Sequence, residues 1–230
     1  MNVWIAVMAV VVGYLFGAVS FTRILGRWVL PGDDLSGLEV KLGKGTLRFN
    51  RTSASLISMK RGPAYGCLTG LLDMAKAAIP VLIFKMAFPD YDYEFLAAAA
   101  AVVGHNYPVF YRFHGGAGLS PYLGGLAVLD WVAVPVATVL GTVTGALLRN
   151  VVIAYASGVV WLIPWFWWRD ASWPAFAYAF IVNVAVWVAL WPVMTDLTRM
   201  QRSGEIDRKE AMRILRSGHP SLDRDRYQSD

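Results

Sequence analysis

The sequence predicts an all-α integral membrane protein of about seven transmembrane helices, with the N-terminus outside and the C-terminus cytoplasmic. Three observations carry this. Of the 230 residues, 57% are hydrophobic and only 16% charged, with a mean hydropathy of +0.47, far from the balance of a soluble domain. Apolar stretches recur along the whole chain at lengths that suit membrane spans. Most of the 21 Lys and Arg residues fall on one set of connections, the asymmetry that orients inserted helices.

The first stretch, Val3–Leu25, has no basic segment before it and no small-residue cleavage site. It reads as a retained span, not a signal peptide. The connection 26–63 joins Gly43-Lys44-Gly45-Thr46 to Arg48-Phe49-Asn50-Arg51-Thr52-Ser53-Ala54-Ser55. Small hydroxyl residues and cations at this density suit phosphate recognition; a solvated basic loop on the inner face would look similar. The second span, Ala64–Phe88, holds the single cysteine, Cys67, so neither a disulfide framework nor a cysteine metal site is available.

That span also carries Asp73 and Lys76, three residues apart on one helix face. An ionisable group at membrane depth costs about 2.5–3.5 kcal/mol on insertion scales, so it marks function by default. Two readings stand together. The pair can neutralise itself and pin the span to a neighbour, or Asp73 can hold Lys76 while Lys76 reaches an anionic substrate.

The third span, Phe95–Phe110, ends in Gly104-His105-Asn106-Tyr107-Pro108, a polar pair before a helix breaker. His105 is either a satisfied core residue or a group that orients or deprotonates a nucleophile, since imidazole titrates near neutrality. Then follows Arg112-Phe113-His114-Gly115-Gly116-Ala117-Gly118. The N–H groups of Gly115, Gly116 and Gly118 can converge on an anion beside His114, ahead of a helix starting near Leu119. A tight re-entrant turn would use the same glycines. The remaining spans are Leu119–Leu129, which is short, Val132–Leu148, Val151–Trp168 and Pro174–Thr195.

With the N-terminus outside, segments 26–63, 111–118, 149–150 and 196–230 lie inside. Asp90, Asp92, Glu94, Asp130 and the Arg169-Asp170 pair then lie outside. The chain divides into a membrane domain, 1–205, and a basic amphipathic tail, 206–230. In the tail, Asp207 with Glu210 resembles a capping box, and Gly218 before Pro220 is a stop signal. A short interfacial helix over 208–217 is expected.

With these pieces in place, the chain resembles the PlsY-type glycerol-3-phosphate acyltransferases over about residues 10–205. Gly13-Tyr14-Leu15-Phe16-Gly17-Ala18 is similar to the family's opening span. Gly62-Pro63-Ala64-Tyr65-Gly66, Leu71-Leu72-Asp73-Met74-Ala75-Lys76 and Ile79-Pro80-Val81 follow its Leu-Leu-Asp-x-x-Lys-Gly and Pro-Val pattern. The strongest match is Gly104–Phe110 with Phe113–Gly118, where the family reads Gly-His-x-Phe-Pro-x-Phe and Phe-Lys-Gly-Gly-Lys-Gly. Three departures stand out. Ala117 and His114 replace the two lysines of the turn. The first motif, Gly-Ser-Gly-Asn-x-Gly-Ala-Thr-Asn, is not intact, and two registers, on Gly43-Lys44-Gly45-Thr46 or on Ser53-Ala54-Ser55, remain open. Of the closing His-Arg-x-Asn-x-x-Arg-Leu, only Arg199-Met200 fits.

The resemblance implies a seven-span fold that moves a fatty acyl group from acyl phosphate to glycerol 3-phosphate, or a related polyol phosphate, in phospholipid synthesis. It implies no metal or other cofactor, membrane lipid but no nucleic acid as partner, and a multi-pass place in a bacterial cytoplasmic (inner) membrane. On this reading Lys76 binds phosphate, Asp73 holds Lys76, and His105 orients the nucleophile or accepts its proton. Gly115, Gly116, Gly118 and His114 hold a phosphate, and Lys44, Asn50, Arg51, Ser53 and Ser55 contact the acyl phosphate or the alcohol. The lost lysines and closing motif equally suit a non-catalytic membrane subunit or lipid-binding protein on the same scaffold.

Overall fold

Every apolar stretch named above is helical in the computed structural model, but two of them are broken. The structure describes residues 1–33, 35, 38–42, 45–49, 51–148, 150–169 and 172–204, with backbone alone for the strands. The first span is two helices, α1 (Val3–Ala18) and α2 (Phe21–Val29). Val19 and Ser20 between them are extended, and the Ser20 hydroxyl caps α2 by accepting from the Arg23 N–H at 3.4 Å. A serine cap starts a new helix where hydropathy alone reads straight through.

The connection taken as loop is partly ordered. An antiparallel hairpin pairs β1 (Leu38–Leu42) with β2 (Gly45–Phe49) in the register Leu38↔Phe49 to Leu42↔Gly45, and α3 (Ala54–Arg61) follows, capped by Ser53. The bundle itself is helical as expected; the hairpin is the addition to an all-α reading. Next come α4 (Pro63–Ala87) and α5 (Tyr93–Asn106). The third span therefore ends at Asn106, four residues short of the expected Phe110, because Pro108 leaves the helix and Val109–Tyr111 form a 3-10 turn. Helices α6 (Leu119–Leu129) and α7 (Ala133–Leu147) match their predicted spans closely.

The predicted span Val151–Trp168 is α8 (Val151–Ala156), a 3-10 turn over Ser157–Val159, and α9 (Leu162–Arg169). Here the Ser157 hydroxyl donates to the Gly141 carbonyl of α7 at 3.1 Å, so the close approach interrupts the helix. The chain closes with α10 (Trp173–Arg202). By length and composition Val3–Val29, Pro63–Ala87 and Trp173–Met200 can each cross a membrane, while α6 and α7 are shorter apolar helices. The predicted tail helix over 208–217 lies outside the described residues.

Small residues set the packing, as expected where lipid offers no hydrophobic drive between helices. The buried alanines Ala97–Ala101 make α5 a thin central rod. Gly13 and Gly17 of α1 lie so close to it that a β-carbon on either would overlap the carbonyl oxygens of Ala97 and Ala101. Gly104 makes the same approach to Tyr14, and Gly124 of α6 to Met74 of α4. Around the far half of α5, Phe95, Phe166 and Tyr178 form an edge-to-face cluster. At that end Lys85 caps α6 by donating to Val128 and Leu129 carbonyls, and Asp130 accepts from Arg169 at 2.6 Å and Trp165 at 3.0 Å. A second small core, Leu35, Leu56, Ile57, Leu197 and Met200, fastens α3 to the end of α10.

Gly17→Val should cost about 1–3 kcal/mol by overpacking, read as a fall of several degrees in the melting temperature in detergent. Gly70→Ala, whose added carbon meets only ordinary contacts at 3.8 Å and 3.9 Å, should leave it unchanged or higher.

Candidate active site

The broken first span and the buried ion pair turn out to be one arrangement. Asp73 and Lys76 are almost fully buried, at 2% and 4% exposure, and their charged atoms lie 2.8 Å apart. Lys76 also donates to the carbonyl of Val19, the residue closing α1. The Asp73 carboxylate faces the backbone N–H of Phe21, the first residue of α2. Each charge thus meets the helix end of opposite partial charge: the ammonium a C-terminus, the carboxylate an N-terminus. The break leaves backbone groups unmet, and the pair satisfies them.

The third proton of Lys76 points to Nδ1 of His105, 3.0 Å away. An ammonium has three protons and no lone pair, and three groups of the protein face it. This geometry lets Lys76 position the groups around it. Accepting at Nδ1 fixes the proton of neutral His105 on Nε2, the nitrogen that borders Gly116.

The turn after α5 is built onto His105 and Asn106. Arg112 and Phe113 both take left-handed backbone angles, φ 51° and 61°, a conformation that costs non-glycine residues energy and persists only when neighbours impose it. Phe113 and His114 N–H groups return to the carbonyls of Pro108 and Tyr111, both at 3.0 Å. Gly116 donates to the His105 carbonyl at 3.0 Å. A β-carbon at Gly115 would strike the His105 carbonyl and Pro108, at Gly116 the imidazole, and at Gly118 the Asn106 side chain. Asn106, fully buried, ties this corner to α10 through its amide, which donates to the Ala185 carbonyl at 2.8 Å.

Glycine is therefore needed here for close packing. The amide of Gly116 is engaged with the His105 carbonyl. The N–H groups of Gly115 and Gly118 make no hydrogen bond among the described residues, and Gly118 opens α6 with φ +81°.

Two arginines clasp the turn. Arg51 donates through one nitrogen to the carbonyls of Asn106 at 3.2 Å and Gly116 at 2.9 Å, with its guanidinium over the Tyr107 ring. Arg23, which the sequence reading passed over inside its first span, donates to the His114 carbonyl at 2.9 Å and stacks on Tyr111. The signal for Arg23 was available, since a lone cation within an apolar stretch is the kind of residue that singled out Lys76.

The other predicted residues divide. Ser53 accepts from the Leu56 N–H at 3.1 Å as the cap of α3, which leaves its O–H free to donate. Ser55 is exposed on the same helix. His114 is exposed, with Nδ1 2.7 Å from the Arg112 carbonyl oxygen. Lys44 and Asn50 lie outside the described residues. Asp73, Lys76, His105, Arg51, Gly115, Gly116 and Gly118 are thus brought together.

A family model described as glycerol-3-phosphate acyltransferase matches residues 7–202. The glycerol-3-phosphate acyltransferase of Anaeromyxobacter sp. (strain Fw109-5) is 31% identical over 190 residues, covering 78% of this chain and 88% of that one. That of Rhodopseudomonas palustris (strain BisB5) is 32% identical over 193 residues, covering 84% and 83%. The fold is that of PlsY, an integral membrane glycerol 3-phosphate acyltransferase. Its glycerol 3-phosphate form matches with a TM-score of 0.70 over 91% of this chain and 98% of that one, at 23% identity. Its lysophosphatidic acid form matches with a TM-score of 0.69 at 21% identity, covering 88% and 94%.

Ring-nitrogen chemical shifts of histidine-labelled protein should show His105 protonated at Nε2 with a bare, hydrogen-bonded Nδ1. The paired variant Asp73→Asn/Lys76→Met, which leaves no orphaned charge, should lose that single tautomer.

Proposed function

The chain belongs to the glycerol-3-phosphate acyltransferase family, and from that premise we propose that it transfers a fatty acyl group from acyl phosphate to glycerol 3-phosphate, releasing lysophosphatidic acid and inorganic phosphate. The observation that carries the reading is the unbroken chain from Asp73 through Lys76 to His105, ending against the glycine turn. It sits in a helical bundle with apolar faces for the acyl tail.

The step is an attack by an acceptor hydroxyl oxygen on the acyl carbon, forming an ester and breaking the bond from that carbon to the phosphate oxygen. Acyl phosphate is already activated, so orientation and charge stabilisation carry most of the catalysis. In this reading Asp73 and Lys76 position His105, and His105 acts as a donor through its Nε2–H, aligning a reacting oxygen. With its other nitrogen facing the Lys76 ammonium, His105 is not the base. The hydroxyl proton passes to the departing phosphate, whose oxygens are basic near neutrality because phosphate esters have a second pKa of about 6. The free N–H groups of Gly115 and Gly118, with Arg51 beside them, hold phosphate charge at the turn.

The membrane placement follows the charge pattern: seven spans in a bacterial cytoplasmic membrane, N-terminus outside, with the turn, hairpin and α3 on the inner face. In a Cys67→Ala background, Arg61→Cys should react with an impermeant maleimide from the cytoplasmic side and Asp90→Cys from the outer side. The reverse pattern would invert the topology.

Protein purified into lipid vesicles and given palmitoyl phosphate with glycerol 3-phosphate should form lysophosphatidic acid. His105→Gln should lower kcat by about 10²-fold, the scale on which a lost oriented donor is felt. Turnover no better than that of His105→Gln would favour the non-catalytic reading.

A further inference from the structure

Two cations are missing from the turn itself, and two reach it from elsewhere. Where the resemblance places lysines, this chain has His114 and Ala117. In their stead Arg23 of α2 bonds the His114 carbonyl, and Arg51, just before α3, bonds the Gly116 carbonyl, immediately ahead of Ala117. Each guanidinium lies over a tyrosine of the same corner, Arg23 at 4.6 Å from Tyr111 and Arg51 at 5.4 Å from Tyr107. Such stacking holds the planar head in place and leaves its edge for an acceptor.

Arg23 has donors to spare. A guanidinium carries five N–H groups, and among the described residues Arg23 donates through a single terminal nitrogen. Its Nε is buried with no partner among the described residues. A charged donor removed from water without an acceptor is costly, and a phosphate oxygen at the turn would meet that need. The neighbouring Gly115 N–H is also uncommitted among the described residues.

We propose that Arg23 is a substrate-binding residue of this site, taking the phosphate of the acceptor in the role left vacant at Ala117. This rests on the acyltransferase reading and adds the residue that selects a phosphorylated acceptor over a neutral polyol. Planarity matters, because a fork can bond one phosphate by two parallel N–H groups where an ammonium acts as a point charge.

The test compares acceptors. Arg23→Gln should raise KM for glycerol 3-phosphate by about 10- to 100-fold, as expected for losing one charged hydrogen-bond partner. It should lower kcat by no more than a few-fold and weaken any reaction with glycerol far less than that with glycerol 3-phosphate. Arg23→Lys should fall between. Adding Ala117→Lys to Arg23→Gln should bring KM back to within a few-fold of the starting protein, a rescue that a merely structural tether of the turn would not give.

An unchanged KM in Arg23→Gln, an equal loss with glycerol and glycerol 3-phosphate, or no rescue by Ala117→Lys would each overturn the assignment. If Arg23→Gln does not fold, the same comparison is read from Arg23→Lys, where an unchanged KM overturns it. If the starting protein turns over nothing, the acyltransferase reading has failed instead. The thermal shift on adding glycerol 3-phosphate then decides Arg23 separately: a shift lost in Arg23→Gln supports it, and one retained, or absent from the start, overturns it.

Discussion

The architecture depends on a buried ion pair that closes a broken helix. Within a bilayer an unmet backbone carbonyl or N–H costs several kcal/mol, and so does an unpaired charge. Here each problem is the answer to the other: the end of α1 takes the Lys76 ammonium and the start of α2 meets the Asp73 carboxylate. Because the pair has internal partners, it needs no substrate to be stable. It can hold a third group, His105, at a fixed angle.

The rest of the bundle brings that group to the place where it is useful. An alanine-lined α5 admits α1 at backbone contact, so the imidazole at its end lies directly over the gap between α1 and α2. The glycines after α5 then let the chain fold back onto His105 and Asn106 with nothing between. Two aromatic-stacked arginines hold the fold-back from outside. Rigidity here comes from missing side chains as much as from bonds.

Much of this was legible in the sequence. Hydropathy and charge marked all the apolar stretches, and an Asp and a Lys inside one of them, together with Gly104–Gly118, marked the candidate site. What escaped was local. Ser20 lies between Val19 and Phe21, so an averaged hydropathy stays high across a real helix end. The strand alternation of Leu38-Glu39-Val40-Lys41-Leu42 was present but overshadowed by the basic residues around it. Arg23 was absorbed into a span, although the reasoning applied to Lys76 fits it equally. The Val19 partner of Lys76 could not be read, because spacing along one helix does not show that a carbonyl on another is waiting for its proton. For the glycines, anion cradles and tight packing call for the same residue, and only the neighbours of each α-carbon separate the two.

The interrupted first helix also bears on how the chain is made. During synthesis Val3–Val29 leaves the ribosome well before Pro63–Ala87, so the carbonyl of Val19 exists before the lysine that meets it. The later segment in turn arrives carrying charges that have no helix ends to meet. Each segment is thus chemically incomplete alone, and the order of synthesis makes the earlier one wait for the later.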